Sequence, residues 1–250
     1  MTSHLLVIIH KEWVGAKSTL FSCSNWLSGL WPMLLFCAAI GVYEPLKIGP
    51  DWLQSPIMLL SISVLVPFVV IGSISPYAFV GERLHGTLEP LLATPVSDSA
   101  LLFGKIATAV FFGWGAALAS LLLGAGSLNV FLAQGRFLFY SPGILLYTIL
   151  LSLLFSMLVA TLGTAASLYA KTFLDAQRNL VLLLLLPLLL PAFCLGPLMP
   201  DAWKTLMVTA FPMLETFQLL PILIGLLSVV DGLIMLLARS YFHRKLLLLE

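Results

Sequence analysis

The chain has 250 residues, 60% of them hydrophobic and only 9% charged, with a formal net charge of +1. Mean hydropathy is +1.08. This excludes a soluble globular domain, predicts transmembrane helices and gives no pointer to a nucleic-acid partner. Cys23, Cys37 and Cys194 have neither metal-ligand spacing nor even pairing, so neither a zinc site nor a disulfide framework is expected. His4, His10, His85 and His243 fall near span ends or tails and read as interfacial polar residues. Lys11, Glu12 and Lys17 interrupt the first apolar run, which argues against a cleavable signal.

In chain order, residues 4–21 come first. Leu6, Ile9, Trp13, Ala16 and Leu20 recur at helical spacing, with His10, Lys11, Lys17 and Ser18 elsewhere around the wheel. A helix lying in the headgroup plane is expected. Six apolar segments follow, at 26–42, 57–80, 100–126, 143–170, 179–195 and 214–238. A helix needs about 20 residues to cross the hydrocarbon core, so each is adequate and the first and fifth are short. Pro187 and Pro191 should kink or break the fifth. Between the fifth and sixth, residues 195–214 hold Pro200, Asp201, Trp203 and Pro212, too broken for one helix yet apolar enough to stay at the membrane. Outer re-entrant half-helices covered by protein reconcile the two facts; an interfacial loop with Trp203 in the aromatic belt is the simpler alternative. The expected fold is therefore all-α and integral to the membrane, one permease-sized domain over residues 1–250.

Basic residues set the orientation. With both termini inside, the inner side holds Lys11, Lys17, Arg83, Lys105, Lys171, Arg178, Arg239, Arg244 and Lys245, the outer side only Lys47, Arg136 and Lys204. That asymmetry predicts cytoplasmic termini and a cytoplasmic loop between the second and third spans.

This loop, residues 82–99, is polar and turn-rich between two apolar runs. Gly86 suits a turn, Thr87 an N-cap, Glu89 and Pro90 a first helical turn. Leu88, Leu91 and Leu92 give the short helix an apolar side, Pro95 stops it, and Ser97 or Asp98 caps the next helix. An amphipathic helix offering apolar and acidic groups to water is predicted. The bland alternative is an ordinary solvated loop.

The series Glu82, Gly86, Thr87, Glu89, Leu91, Leu92, Pro95, Gly104 and Lys105 resembles the coupling segment of type-2 ABC-transporter permeases, with Leu84 where that family often has a second acid. The resemblance implies a permease subunit of an ATP-driven exporter in a bacterial or archaeal cytoplasmic membrane, with no cofactor of its own. ATP and Mg would sit on separate ABC ATPase subunits, and a second permease copy would complete the assembly. It also implies an N-terminal interfacial helix beside the ATPase, and Trp31, Phe36, Leu185 and Phe193 near the substrate path. It does not choose a substrate.

The remaining motifs are weaker. Gly104-Lys105 is followed by Ile106, so there is no phosphate-binding GxxxxGK[ST] loop, and no HExxH, Gly-x-Ser-x-Gly or Cys/His set is present. Asp231 is the acid well inside an apolar run, about 12 Å from Arg239 along a helix. It reads either as a satisfied structural residue, with Ser228 as partner, or as a proton or cation site. Small residues recur at helical spacing in the third span (Ala109, Gly113, Ala117; Ala116, Ser120, Gly124) and the fourth (Ser156, Ala160, Thr164; Gly163, Ser167). They fit packing within the chain or between two copies. Lys171, Asp175 and Arg178 fit headgroup anchoring or a minor ATPase contact. An ATP-independent transporter or channel, and a membrane assembly factor, are the rival functions.

Overall fold

The computed structural model describes residues 8–11, 13–15, 31–93, 97–132, 137–195 and 220–241, all helix, turn or irregular chain. In order these are α1 (Trp31–Ala38), a π-helical stretch (Ala39–Tyr43), α2 (Glu44–Ile48), a 3-10 turn (Pro50–Gln54), α3 (Pro56–Ile74), α4 (Tyr77–Leu84), α5 (Leu88–Leu92), α6 (Asp98–Phe131), α7 (Pro142–Tyr169), α8 (Phe173–Leu195) and α9 (Leu220–Tyr241). Four stretches among the described residues are long and apolar enough to cross a membrane: Met58–Leu84, Asp98–Phe131, Pro142–Tyr169 and Leu220–Ala238. The first and fifth expected segments are helical where described, within Trp31–Tyr43 and Phe173–Leu195. The expected re-entrant segment lies almost wholly outside the described residues.

α7 is the hub, packing against α3, α6, α8 and α9. Its sequence explains this. Ser152, Ser156, Ala160, Gly163, Thr164 and Ser167 are all buried, and small side chains let helices approach closely where lipid supplies no driving force. Their hydroxyls are not left orphaned: Ser156 donates to the Ser152 carbonyl at 2.6 Å, and Thr164 donates to that of Ala160. α3 runs beside α7, with the Ser63 hydroxyl reaching the Thr148 carbonyl at 3.2 Å. The α6 stripe works the same way. Gly113 makes room for Ile71 of α3, and Gly124 for the Trp52 ring, which a Cβ there would meet at 2.6 Å. Both small-residue stripes thus pack within this chain.

The end of the bundle remote from the 82–99 loop is sealed by polar clasps on apolar plugs. Trp52 is 1% exposed, Tyr140 donates to the Leu121 carbonyl at 2.8 Å, and Asn129 holds Leu138 by both its N–H and C=O. Gly41, inside the π-helical stretch, faces Ser120 of α6 so closely that a Cβ there would come within 3.1 Å of the Ser120 carbonyl oxygen.

Three expectations need correction. The second span is not one helix: Ser75 and Pro76 form a turn that separates α3 from α4. Of the kink or break expected at Pro187 and Pro191, the break does not occur: α8 begins at Phe173, six residues ahead of the expected start, and runs on to Leu195. Proline costs one backbone hydrogen bond, a loss that membrane helices tolerate when neighbours cover the site. α8 starts early because Thr172 caps it: the Asp175 N–H donates to the Thr172 hydroxyl at 3.2 Å, which in turn donates to the Asp175 carboxylate at 2.7 Å. Finally, the described N-terminal residues do not lie free in a headgroup layer. Ile8 is buried in the notch left by Gly104, and Trp13 stacks on Phe112 at 4.7 Å and meets Phe111 edge-on at 5.0 Å. The segment advances along α6 with the chain direction, because an aromatic and a branched side chain gain more from the α6 surface than from water.

Candidate functional site: the α4–α5 hairpin

The hairpin joins α3 to α6 and is fastened at both ends. α4 begins after Pro76, and its first-turn N–H groups at Phe79 and Val80 donate to the Ser167 hydroxyl of α7 at 2.8 and 3.2 Å. In return Arg83 of α4 donates to the Leu168 carbonyl and, at 2.9 Å, to that of Ala170 at the C-terminal end of α7. A guanidinium there also meets the negative end of the helix dipole. Each helix therefore caps the other.

α4 closes in a Schellman motif. The Thr87 N–H bonds the Glu82 carbonyl at 2.9 Å, and the Gly86 N–H bonds that of Arg83 at 3.1 Å. Gly86 sits at φ +66, and a Cβ there would touch nothing within 4 Å. Gly86→Ala therefore meets no steric wall and pays only the left-handed backbone, about 1–2 kcal/mol. A modest drop in the thermal midpoint of detergent-solubilised protein is expected, with the spans still inserted.

Glu82 is the electrostatic centre. Its carboxylate accepts from Lys11 at 2.9 Å, from Lys105 at 3.4 Å and from the Thr87 hydroxyl. Lys105 is buried, its side chain 1% exposed. It also donates to the Ala78 carbonyl at 2.8 Å and lies 5.2 Å from the Phe79 ring centre. One carboxylate thus ties α4, the N-terminal segment and α6 together. Beside it the Tyr77 ring covers Gly81, meets Phe173 at 5.8 Å, and places its hydroxyl 3.4 Å from His85 Nε2.

The sequence-predicted residues divide as follows. Gly86 makes the expected turn. Thr87 immediately precedes α5 and its carbonyl accepts the Leu91 N–H at 3.1 Å, while its hydroxyl donates back to Glu82. Ser97 caps α6, accepting from the Ala100 N–H at 3.3 Å. Gly104 and Lys105 act as a packing notch and a buried charge. The largest correction concerns the apolar side of α5: Leu88 is buried and Leu91 packs on the core around Phe79, Leu101 and Leu102, so these leucines face the bundle and not water. Burial of two leucines outweighs any gain from presenting them to solvent. Glu89 and Leu92 lie in α5, their side chains outside the described residues, and Pro95 is outside them altogether. The implied path residues Trp31, Leu185 and Phe193 likewise have side chains outside the description; Phe36 is half-buried. Sequence reasoning missed the Lys11–Glu82 pair and the Arg83/Ser167 cross-caps, which join residues 71 to 88 positions apart. Lys171 is exposed, and Arg178 pairs with Asp175 at 3.1 Å.

The described residues contain no group of three or more His, Cys, Asp or Glu that could hold a metal. What the described residues define is an all-helical integral membrane protein with a polar hairpin welded to its central helix. A family model described as "ABC-2 family transporter protein" matches residues 17–174. The chain belongs to that family, a membrane transport component. No curated protein and no solved structure matches it.

Proposed function

We propose that this chain is the membrane-spanning permease subunit of an ATP-driven exporter, forming the substrate path with a second permease copy and driven by separate ABC ATPase chains. Its termini and the α4–α5 hairpin face the cytoplasm, where the ATPases sit. The observation that supports this most is the anchoring of the hairpin. α5 is held to the core by Leu88 and Leu91, and α4 is cross-capped to α7, so a push on the exposed rim moves the bundle. That rim includes Leu84, His85, Gly86, Thr87, Pro90 and Ala93. Glu82 has a positioning role in this reading: it sets the hairpin, because its carboxylate is already engaged within the chain. Glu89 and Pro90 are assigned to the ATPase contact.

The test replaces Pro90 and Ala93 on the exposed rim by arginine. ATP hydrolysis by the assembled complex should lose its dependence on the permease while the chain still inserts and melts as before. Unchanged coupling would remove α5 from the mechanism.

A further inference from the structure

Asp231 lies at mid-length in α9. The side of α9 that meets α7 carries Leu220, Leu227, Asp231 and Ala238, whereas Ile222, Leu226, Val229, Leu233 and Leu236 on the other side are exposed, as lipid-facing residues would be. Asp231 itself is 7% exposed, and among the described residues neither of its oxygens has a hydrogen-bond partner. The expected partner is engaged elsewhere: Ser228 donates to the Gly225 carbonyl at 2.7 Å. So are the hydroxyls of α7, since Ser152, Ser156, Thr161 and Thr164 each donate to a carbonyl of α7 itself. α7 holds no acidic or basic residue, and its titratable side chains, Tyr147 and Tyr169, stand toward its two ends.

An ionised carboxylate sealed in such a seam without a counter-charge is strongly disfavoured. A metal cation needs about six oxygen ligands, and the described residues gather no group of three or more His, Cys, Asp or Glu around Asp231. A proton needs nothing beyond the carboxyl. We propose that Asp231 is a proton-binding site, occupied while α9 lies against α7 and released to water when the two helices part. The site is independent of how the transporter is fuelled.

Dicyclohexylcarbodiimide tests this on the purified full-length protein. The reagent requires the protonated acid: the carboxyl hydrogen moves to one carbodiimide nitrogen as its oxygen adds to the central carbon, and an acyl shift leaves a stable N-acylurea. At neutral pH peptide mass spectrometry should find the adduct on Asp231 and not on exposed Asp51, with labelling lost at alkaline pH. Asp231→Asn should abolish the adduct, and Asp231→Glu should retain one at that position. The infrared spectrum of the unmodified protein supplies a readout that needs no variant, a protonated-carboxyl stretch that vanishes at alkaline pH. An unreactive Asp231 with no such band, as an acid ionised by a cationic partner would give, overturns the proposal.

Discussion

Glu82→Ala is expected to lower the stability of the solubilised protein by about 2–3 kcal/mol, because it removes the carboxylate that faces the buried Lys105 ammonium. Lys105 keeps the Ala78 carbonyl and the Phe79 ring, which is why the loss stops short of unfolding the chain. The exposed Lys11 pair adds little, since such pairs contribute about 1 kcal/mol or less. Two companion variants separate structure from coupling. Glu82→Ala with Lys105→Met removes both buried charges and should recover most of the stability, as apolar replacement of a buried pair commonly does. It should not recover ATPase coupling, because the bridge between α4, α6 and the N-terminal segment is still absent. A double variant that restores both would show that Glu82 matters only for folding. Thermal unfolding and ATP hydrolysis, measured on the same preparations, decide the matter.

Gly163→Ala is the second large effect. A Cβ at position 163 would lie 2.8 Å from the Ser75 Cβ, with the Ser75 hydroxyl closer still and Leu180 at 3.4 Å. The Ser75 side chain is too short to swing clear, so the start of the hairpin must move off α7. Alanine gains about 1 kcal/mol of helix propensity over glycine, and overpacking costs about 1–3 kcal/mol. With so close an approach the overpacking cost falls near the top of that range, and a net loss of about 2 kcal/mol is expected. Ser75→Gly in the same chain removes the obstructing atoms, along with a buried hydroxyl that has no hydrogen-bond partner, and should return most of the stability. Absence of rescue would place the cost elsewhere than at this contact.

Much of the fold was legible because its signals are local. Apolar runs marked the helices, Gly86 its turn and Ser97 its cap, each from residues within a few positions of one another. The break at Ser75–Pro76 was not legible, since Pro76 stands in a run otherwise apolar enough to read as one span. What ends α3 there is tertiary: Ser167 of α7 receives the N–H groups that a continuous helix would have used. The direction of the α5 leucines was misread for a related reason. Amphipathicity identifies an apolar side but not what covers it, and here the core around Phe79, Leu101 and Leu102 does so. Lys105 read as one of the inner-side basic residues, yet it is buried against Glu82, 23 positions away. Asp231 stood out in sequence for its cost in an apolar run; that its carboxylate finds no hydrogen-bond partner among the described residues, Ser228 being engaged with the Gly225 carbonyl, could come only from the structure.

The central claim is that fuel used by another chain enters this bundle through the α4–α5 hairpin. Its most direct measurement is ATP hydrolysis by the complex purified through a tag on this chain from its own membrane, with the stoichiometry of every co-eluting chain determined. The account predicts a nucleotide-hydrolysing subunit in equal amount, whose association is lost when the helix Leu88–Leu92 is removed. Full transport by this chain alone in vesicles, with no ATP-hydrolysing partner present, would contradict it.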